Sequence, residues 1–222
     1  PIPTDSIKTT AVALADAALV GARGNSGIIF AQFLYGFSKE ISDEIDFSIE
    51  HFAQTLKKAV TYAYESIANP VEGTMITVIR EWAEFIYTMK GIINDFVELL
   101  SKAYHVAVDS LAATTKQLEV LAKANVVDAG AKGFVLFLEG MMDFFNNRTN
   151  LRSLKAVANE VFQAEVETVP HGEITFRYCC EALLTLDKVK DQNKDSIKDK
   201  ITSFGDSMVI AGSDKKVRIH IH

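Results

Sequence analysis

Apolar residues recur at helical spacing through most of the first 145 residues. Positions three and four apart share one face of an α-helix, so such a stripe predicts a helix that packs against a core. The clearest stripe follows Ser48, a residue type that caps helix N-termini, and it stops near Asn69 and Pro70. Its apolar members are Ile49, Phe52, Ala53, Leu56, Ala59, Ala63 and Ile67. The pattern predicts an all-helical region.

From residue 173 onward the pattern changes to alternation of apolar and polar residues. Alternation places successive side chains on opposite faces of a β-strand. Residues 173–181 and 217–222 alternate in this way, and residues 207–211 form a short apolar run between them. These segments predict strands of a small sheet.

We therefore predict a mainly α fold followed by a small α/β domain. The predicted division is a helical domain over residues 1–148, a helix and linker over 149–172, and the start of the α/β domain over 173–222. The chain begins at Pro1 and ends at His222 inside a strand pattern, so we expect both domains to be incomplete.

Three short glycine-rich segments, at 21–27, 71–74 and 127–133, each precede an amphipathic helical pattern. Asn25 and Ser26 in the first segment are residue types that cap helix N-termini. The start of a helix exposes unpaired N–H groups and a positive dipole end, which suit a phosphate. Three such starts could converge on one polyanion, or they could be ordinary caps in a helical bundle. Spacing alone leaves both readings open.

Composition excludes several classes of partner. The net charge is −6 without a basic cluster, which argues against nucleic acid or an anionic membrane surface. No apolar run reaches the length of a membrane span, and no signal-peptide pattern is present. The two cysteines, Cys179 and Cys180, are adjacent, which disfavours a disulfide framework and fits a reducing cytosol. We therefore expect a cytoplasmic protein.

The motifs as a set resemble known families. Residues 21–27, 70–74 and 126–133 look like the nucleotide-binding domain of the dihydroxyacetone-kinase L type. The closer resemblance is to the bacterial fatty acid kinase catalytic subunit. Its middle domain is similar to three further motifs here: Tyr178-Cys179-Cys180-Glu181, Phe204-Gly205-Asp206-Ser207 and His220-Ile221-His222. The motifs occur in family order over essentially the whole chain.

The resemblance implies a helical barrel that binds ATP with magnesium near the helix starts. The residues that it assigns to the nucleotide are Gly24, Asn25, Ser26, Gly27, Gly73, Thr74, Asp128, Ala129 and Gly130. In the family, magnesium is held by an Asp-Gly-Asp-Thr-Gly-Thr-Asn motif upstream of these segments, and neither Asp5 nor Asp16 matches it. Phosphoryl transfer depends on such metal ions. We therefore expect the magnesium ligands to lie outside this sequence and the fragment alone to be inactive.

A second metal site is predicted at the end of the chain. His220 and His222 share one face of their strand, and Cys179 lies on the polar face of its own strand. If the two strands are neighbours, these three side chains form a ligand set suited to structural zinc. On this interpretation Cys180 is a buried core thiol and Glu181 lies farther along the strand. The alternative is a polar strand end with solvated histidines.

The leading functional hypothesis is a kinase subunit that transfers the γ-phosphoryl group of ATP to the carboxylate of a fatty acid. The resemblance implies that a separate fatty-acid-binding protein presents this substrate. One alternative is a dihydroxyacetone-kinase L-type subunit, which the Cys/His-bearing second domain disfavours. Another is a non-catalytic nucleotide-binding module. The number of copies that assemble, a homodimer included, is left open.

Overall fold

The computed structural model describes residues 6–42, 47–146, 176, 178–185, 191–212 and 215–222. The predicted boundary at residue 148 and the helix and linker at 149–172 lie outside these residues. The described helices of the first part are α1 (Ile7–Gly21), α2 (Gly24–Glu40), α3 (Ile49–Glu65), α4 (Met75–Met89), α5 (Phe96–Gln117), α6 (Glu119–Ala124) and α7 (Ala129–Asn146). The all-helical character of this part is confirmed for the residues described.

Local capping explains where several helices begin. The Ser48 hydroxyl accepts a hydrogen bond from the backbone N–H of His51 at 3.2 Å, so α3 starts where the sequence predicted. Asp95 caps α5 in the same way, accepting from the Glu98 N–H at 2.7 Å. Each side chain satisfies one backbone donor that the first turn of a helix cannot pair internally.

Aromatic packing joins the three helices that matter for the site. Phe33 of α2, Trp82 of α4 and Phe134 of α7 are all buried. Their ring centroids lie 5.7–6.5 Å apart in edge-to-face geometry, which is a favourable arrangement of aromatic quadrupoles. Neighbouring apolar residues, such as Ile79 and Leu138, are fully buried in the same core. The cluster therefore fixes α2, α4 and α7 relative to one another.

A small antiparallel sheet follows, with strands β1 (Cys180–Thr185), β2 (Val209–Gly212) and β3 (Lys216–Ile221) in the order β1-β3-β2. Helix α8 (Asp191–Ile201) and a 3-10 turn (Thr202–Phe204) lie between β1 and β2 in the chain. The register pairs Glu181 with His220 and Val209 also with His220. Ile197 and Ile201 of α8 pack against the apolar side chains of the sheet. The mainly α fold with a small α/β part is thus confirmed.

The sheet is bound directly to the helical region. Ile67, just after α3, forms a bridge with Val209, and the Ile210 N–H donates to the Ser66 carbonyl at 2.8 Å. On α2, the buried Gln32 accepts a hydrogen bond from the Gly212 N–H at 2.9 Å. These contacts place β2 and the segment before it beside the N-terminal ends of α2 and α4. In the described ranges, each helix is too short or too polar to cross a membrane.

Candidate nucleotide and metal sites

The N-terminal ends of α2, α4 and α7 open onto one cavity of about 290 Å³. Asn25 and Ser26 line it from α2, Thr74 and Met75 from α4, and Asp128 from the residue before α7. Each helix start presents unpaired backbone N–H groups and the positive end of a dipole. The structure therefore shows the convergence that the sequence left open.

Two glycines allow the walls of the cavity to approach closely. A Cβ atom at Gly130 would lie 2.9 Å from the Ser26 Cβ, so α2 and α7 could not meet there with a larger residue. Gly73 has φ +83° and lies against Gln117, whose Cβ would be 2.7 Å from an added Cβ. Positive φ and this lack of space both require glycine. These positions explain why the sequence has glycine in two of the three helix openings.

The three openings are capped in different ways. Asp128 accepts from the Ala131 N–H at 2.7 Å and so caps α7 with its side chain. Thr74 occupies the N-cap position of α4, but its hydroxyl donates to the Val71 carbonyl at 2.8 Å. The Gly73 N–H donates instead to the Thr77 hydroxyl at 2.8 Å.

The predicted N-cap role of Asn25 and Ser26 is wrong. Helix α2 begins at Gly24, with Arg23 in the N-cap position and no side-chain cap from within the turn. Asn25 and Ser26 lie in the first turn of the helix. The reason is that the cap comes from far along the chain: the Gly24 N–H donates to a carboxylate oxygen of Glu181 at 2.6 Å.

The donors around the cavity suit a phosphate that arrives with a metal ion. The Asn25 side-chain carbonyl oxygen is buried and has no hydrogen-bond partner in the structure. A buried acceptor without a donor is a place for a metal ion or a ligand N–H. In the part of the chain that is described, no Lys, Arg or His lines the cavity, and the Arg23 guanidinium donates to the Ala22 carbonyl at 2.8 Å. Backbone donors, helix dipoles and metal ions would therefore meet the phosphate charge.

One wall of the cavity was missed by sequence reasoning. Ser207, Met208 and Val209 line it from the segment before β2, opposite Ile67 and Asn69. Ser207 has φ +52°, in the left-handed region that non-glycine residues seldom adopt. The resemblance already marked residues 204–207 as a motif, so the small residues Gly205 and Ser207 were the available signal.

The second predicted site is a cluster of Cys179, His220 and His222, whose ligand atoms all lie within 4.8 Å of one another. The Nε2 atoms of the two histidines are 3.0 Å apart, and the Cys179 Sγ lies 3.8 Å from the His220 ring nitrogens. Ligands of a tetrahedral zinc, at about 2.0–2.3 Å from the ion, are about 3.3–3.6 Å from one another. The donor set therefore fits zinc. His220 is only 2% exposed, which is incompatible with a solvated histidine.

The position predicted for Glu181 is wrong, because the strand register places it directly opposite His220. Its Oε1 lies 3.2 Å from the His220 Nδ1, and its Oε2 lies 3.2 Å from the Arg218 guanidinium. The hydrogen bond from the Gly24 N–H, together with His220 and Arg218, lowers the pKa of Glu181 to about 2 against the opposing effect of burial. Glu181 is therefore a carboxylate in contact with both the cluster and the start of α2.

Cys180 is also corrected, because it is exposed instead of buried. On its face of β1 the apolar cluster with Ile197 and Ile201 reaches Leu184. Cys180 occupies the first position of an edge strand and is left outside that cover. The predicted strand 173–181 is observed only from Cys180 onward, and residues 173–175 and 177 lie outside the described residues.

The fold and the two sites together define a helical domain with a cavity at three helix starts, joined to a small sheet that has a Cys/His cluster. Comparison with known families agrees with this description. The DAK2 domain matches residues 2–143, and the FakA-like middle domain of fatty acid kinases matches residues 175–222. The chain belongs to the DAK2 domain family, and the family resemblance predicted from its motifs is confirmed.

Curated relatives match along almost the whole chain. Protein YloV of Bacillus subtilis strain 168 is 31% identical over 226 residues, which is 99% of this chain and 41% of the relative. The MG369 homolog of Mycoplasma pneumoniae strain M129 is 34% identical over 220 residues, 92% of this chain and 39% of that protein. A Staphylococcus epidermidis protein is 31% identical over 210 residues, 92% of this chain and 38% of its own length. The chain thus spans about two fifths of the length of these relatives.

Proposed function

We propose that this chain is the nucleotide-binding part of an ATP-dependent kinase that phosphorylates the carboxylate of a fatty acid. A separate fatty-acid-binding protein presents the substrate. The observation that supports the proposal most strongly is the convergence of three helix N-termini, from α2, α4 and α7, on one cavity. The match of residues 175–222 to a fatty acid kinase middle domain supports the choice of substrate.

The residues of the cavity suit the binding of ATP with magnesium. Backbone N–H groups in the first turns of α2, α4 and α7 would hydrogen-bond the phosphate oxygens. The unpartnered Asn25 carbonyl oxygen would face the metal ion or a water bound to it. Magnesium, when bound, neutralises the charge that develops during transfer. We propose that its carboxylate ligands lie outside this sequence.

The reaction needs no covalent enzyme intermediate. A carboxylate oxygen of the fatty acid attacks the γ-phosphorus, the bond from that phosphorus to the β-γ bridging oxygen breaks, and ADP leaves with an acyl phosphate as the other product. The protein contributes by holding the two reactants in line and by stabilising charge. Asn25, Ser26, Thr74 and Asp128 are the side chains that we place beside the nucleotide.

We also propose that Cys179, His220 and His222 hold a zinc ion with a structural role. The three ligands come from the segment before β1 and from the end of β3, so the ion would fasten one end of the sheet. Metal analysis of protein prepared without chelator is expected to find zinc in the wild type and to find less in Cys179→Ser and His220→Ala. Absence of zinc from the wild type, or equal content in all three proteins, would contradict this site.

Transfer of the γ-phosphoryl group tests the kinase proposal. The full-length protein is incubated with labelled ATP, magnesium and a fatty acid loaded on its binding protein, and hydroxylamine traps the acyl phosphate as a hydroxamate. We expect hydroxamate from the wild type, much less from Asn25→Leu, and wild-type amounts from Asn94→Leu, a change at an exposed asparagine before α5.

The alternatives give different outcomes in the same experiment. Label on dihydroxyacetone in place of the fatty acid would identify the triose kinase L type. Nucleotide binding without transfer to either acceptor would identify a non-catalytic module. Equal hydroxamate from Asn25→Leu and the wild type would contradict the assignment of the cavity.

A further inference from the structure

One carboxylate connects the Cys/His cluster to the helix start at the nucleotide cavity. The Glu181 Oε1 accepts the Gly24 N–H at 2.6 Å, although the two residues are 157 positions apart. Gly24 is the first residue of α2 and has φ +61°, and the next two residues, Asn25 and Ser26, line the cavity. A carboxylate at a helix N-terminus satisfies an unpaired donor and interacts favourably with the dipole. Glu181 therefore supplies the cap that α2 lacks locally.

The same carboxylate is braced from the other side of the turn. Arg218 is 5% exposed, and its guanidinium donates to Glu181 at 3.2 Å and to the Val20 carbonyl at 3.0 Å. Val20 lies in the last turn of α1. Glu181 and Arg218 thus hold both ends of the short connection between α1 and α2. A change in the position of Glu181 would be felt directly at the start of α2.

The third contact of Glu181 is to a predicted metal ligand. Its Oε1 is 3.2 Å from the Nδ1 of His220, whereas the Nε2 of His220 faces the Nε2 of His222 at 3.0 Å. A histidine that binds a metal through one ring nitrogen commonly donates the other N–H to a carboxylate, which fixes its tautomer and orientation. The geometry around His220 matches that arrangement.

We infer that Glu181 is a positioning residue that couples metal occupancy of the Cys/His cluster to nucleotide affinity at the start of α2. This inference rests on the proposed zinc and nucleotide sites. With a metal on its Nε2, His220 must keep a hydrogen on Nδ1 and donate it to Glu181. Without the metal the other tautomer is accessible, and its Nδ1 lone pair would repel the carboxylate. Zinc is therefore expected to stabilise the Gly24 turn and to strengthen nucleotide binding.

The coupling can be measured as a ratio of affinities. Full-length protein is prepared either loaded with zinc and desalted or stripped of metal, so that free zinc does not bind the nucleotide. Each form is titrated with a non-hydrolysable ATP analogue and magnesium. We expect zinc to tighten binding by about fivefold or more in the wild type, within the usual range of coupling between sites. Thermodynamic reciprocity requires the nucleotide to tighten zinc binding by the same factor.

Two variants separate coupling from simple structural support. Glu181→Gln keeps the size of the side chain and an oxygen that can accept the Gly24 N–H, but it loses the charge and the preference for an N–H on His220. Its ratio of affinities with and without zinc is expected to fall close to one. Glu98→Gln, at a surface carboxylate of α5 that pairs with Lys102, is the matched control and should keep the wild-type ratio.

Hydrogen exchange at the Gly24 amide distinguishes failure of this inference from failure of the proposed function. Zinc should slow exchange at Gly24 in the wild type and not in Glu181→Gln, whether or not a nucleotide binds. A wild type that binds no nucleotide but shows this protection would refute the nucleotide site and support the link through Glu181. Equal ratios or equal protection in the wild type and Glu181→Gln, or a wild type that takes up no zinc, would overturn the inference.

Discussion

Substitution of Gly73 by alanine tests whether the connection before α4 depends on close packing. Gly73 is buried, has φ +83°, and donates its N–H to the Thr77 hydroxyl at 2.8 Å. An added Cβ would lie 2.7 Å from the Gln117 Cβ and 3.1 Å from the Leu118 Cγ, both at the end of α5. The neighbouring atoms are close to the backbone and cannot rotate away.

The expected loss of stability follows from three contributions. Alanine in the left-handed region costs about 1–2 kcal/mol, and overpacking of a buried site costs about 1–3 kcal/mol more. The narrower unfolded ensemble of alanine offsets about 0.4–1 kcal/mol of this. We therefore expect Gly73→Ala to lower the free energy of unfolding by about 2–4 kcal/mol.

Urea denaturation of Gly73→Ala and Gly91→Ala measures this difference. Gly91 follows α4, has no positive φ, and has no heavy atom within 4 Å of an added Cβ. Its substitution should change the free energy of unfolding by no more than about 0.5 kcal/mol. The reasoning is refuted if the two variants unfold at the same urea concentration with the same slope.

Three further substitutions test other parts of the structure. Phe134→Ala removes the ring that joins α2, α4 and α7, and should cost about 3–5 kcal/mol in urea denaturation; a smaller loss than at an exposed aromatic such as Phe144→Ala would contradict the packing. Ser48→Ala removes the α3 cap and should cost about 1 kcal/mol in the same assay, whereas an unchanged midpoint would show that the cap contributes nothing. Gly205→Ala would bring a Cβ into the main chain of His222, and zinc titration should show about tenfold weaker binding; wild-type zinc affinity in this variant would separate the cluster from the Gly205 contact.

The helices could be predicted because their cause is local. The stripe after Ser48 has the period of a helix, and a cap needs only residues three positions apart. The sheet segments were predictable for the same reason, since alternation is also a short-range pattern. The pairing of β1 with β3 then brought Cys179 next to His220 and His222, as the shared faces indicated.

The errors arose where a residue depends on a distant one. Asn25 and Ser26 are good capping types, but α2 starts at Gly24 because Glu181 supplies the cap from β1. The importance of Glu181 depends on strand register, and a shift of register along β1 would move it away from His220. Ser207 lines the cavity only because β2 pairs with the segment after α3. None of these relations has a signature in neighbouring residues.

The central claim is that the starts of α2, α4 and α7 form a binding site for the phosphates of ATP. Isothermal titration of the full-length protein with ATP and magnesium tests it most directly, using Ser26→Leu and Thr74→Leu with Thr61→Leu, an exposed site on α3, as the control. A bulky side chain removes a hydroxyl and crowds the phosphates, and loss of a hydrogen bond to a charged group costs about 1.5–3 kcal/mol. We predict that both cavity variants bind ATP about tenfold or more weakly, with the control unchanged. Wild-type affinity in both cavity variants would contradict the claim.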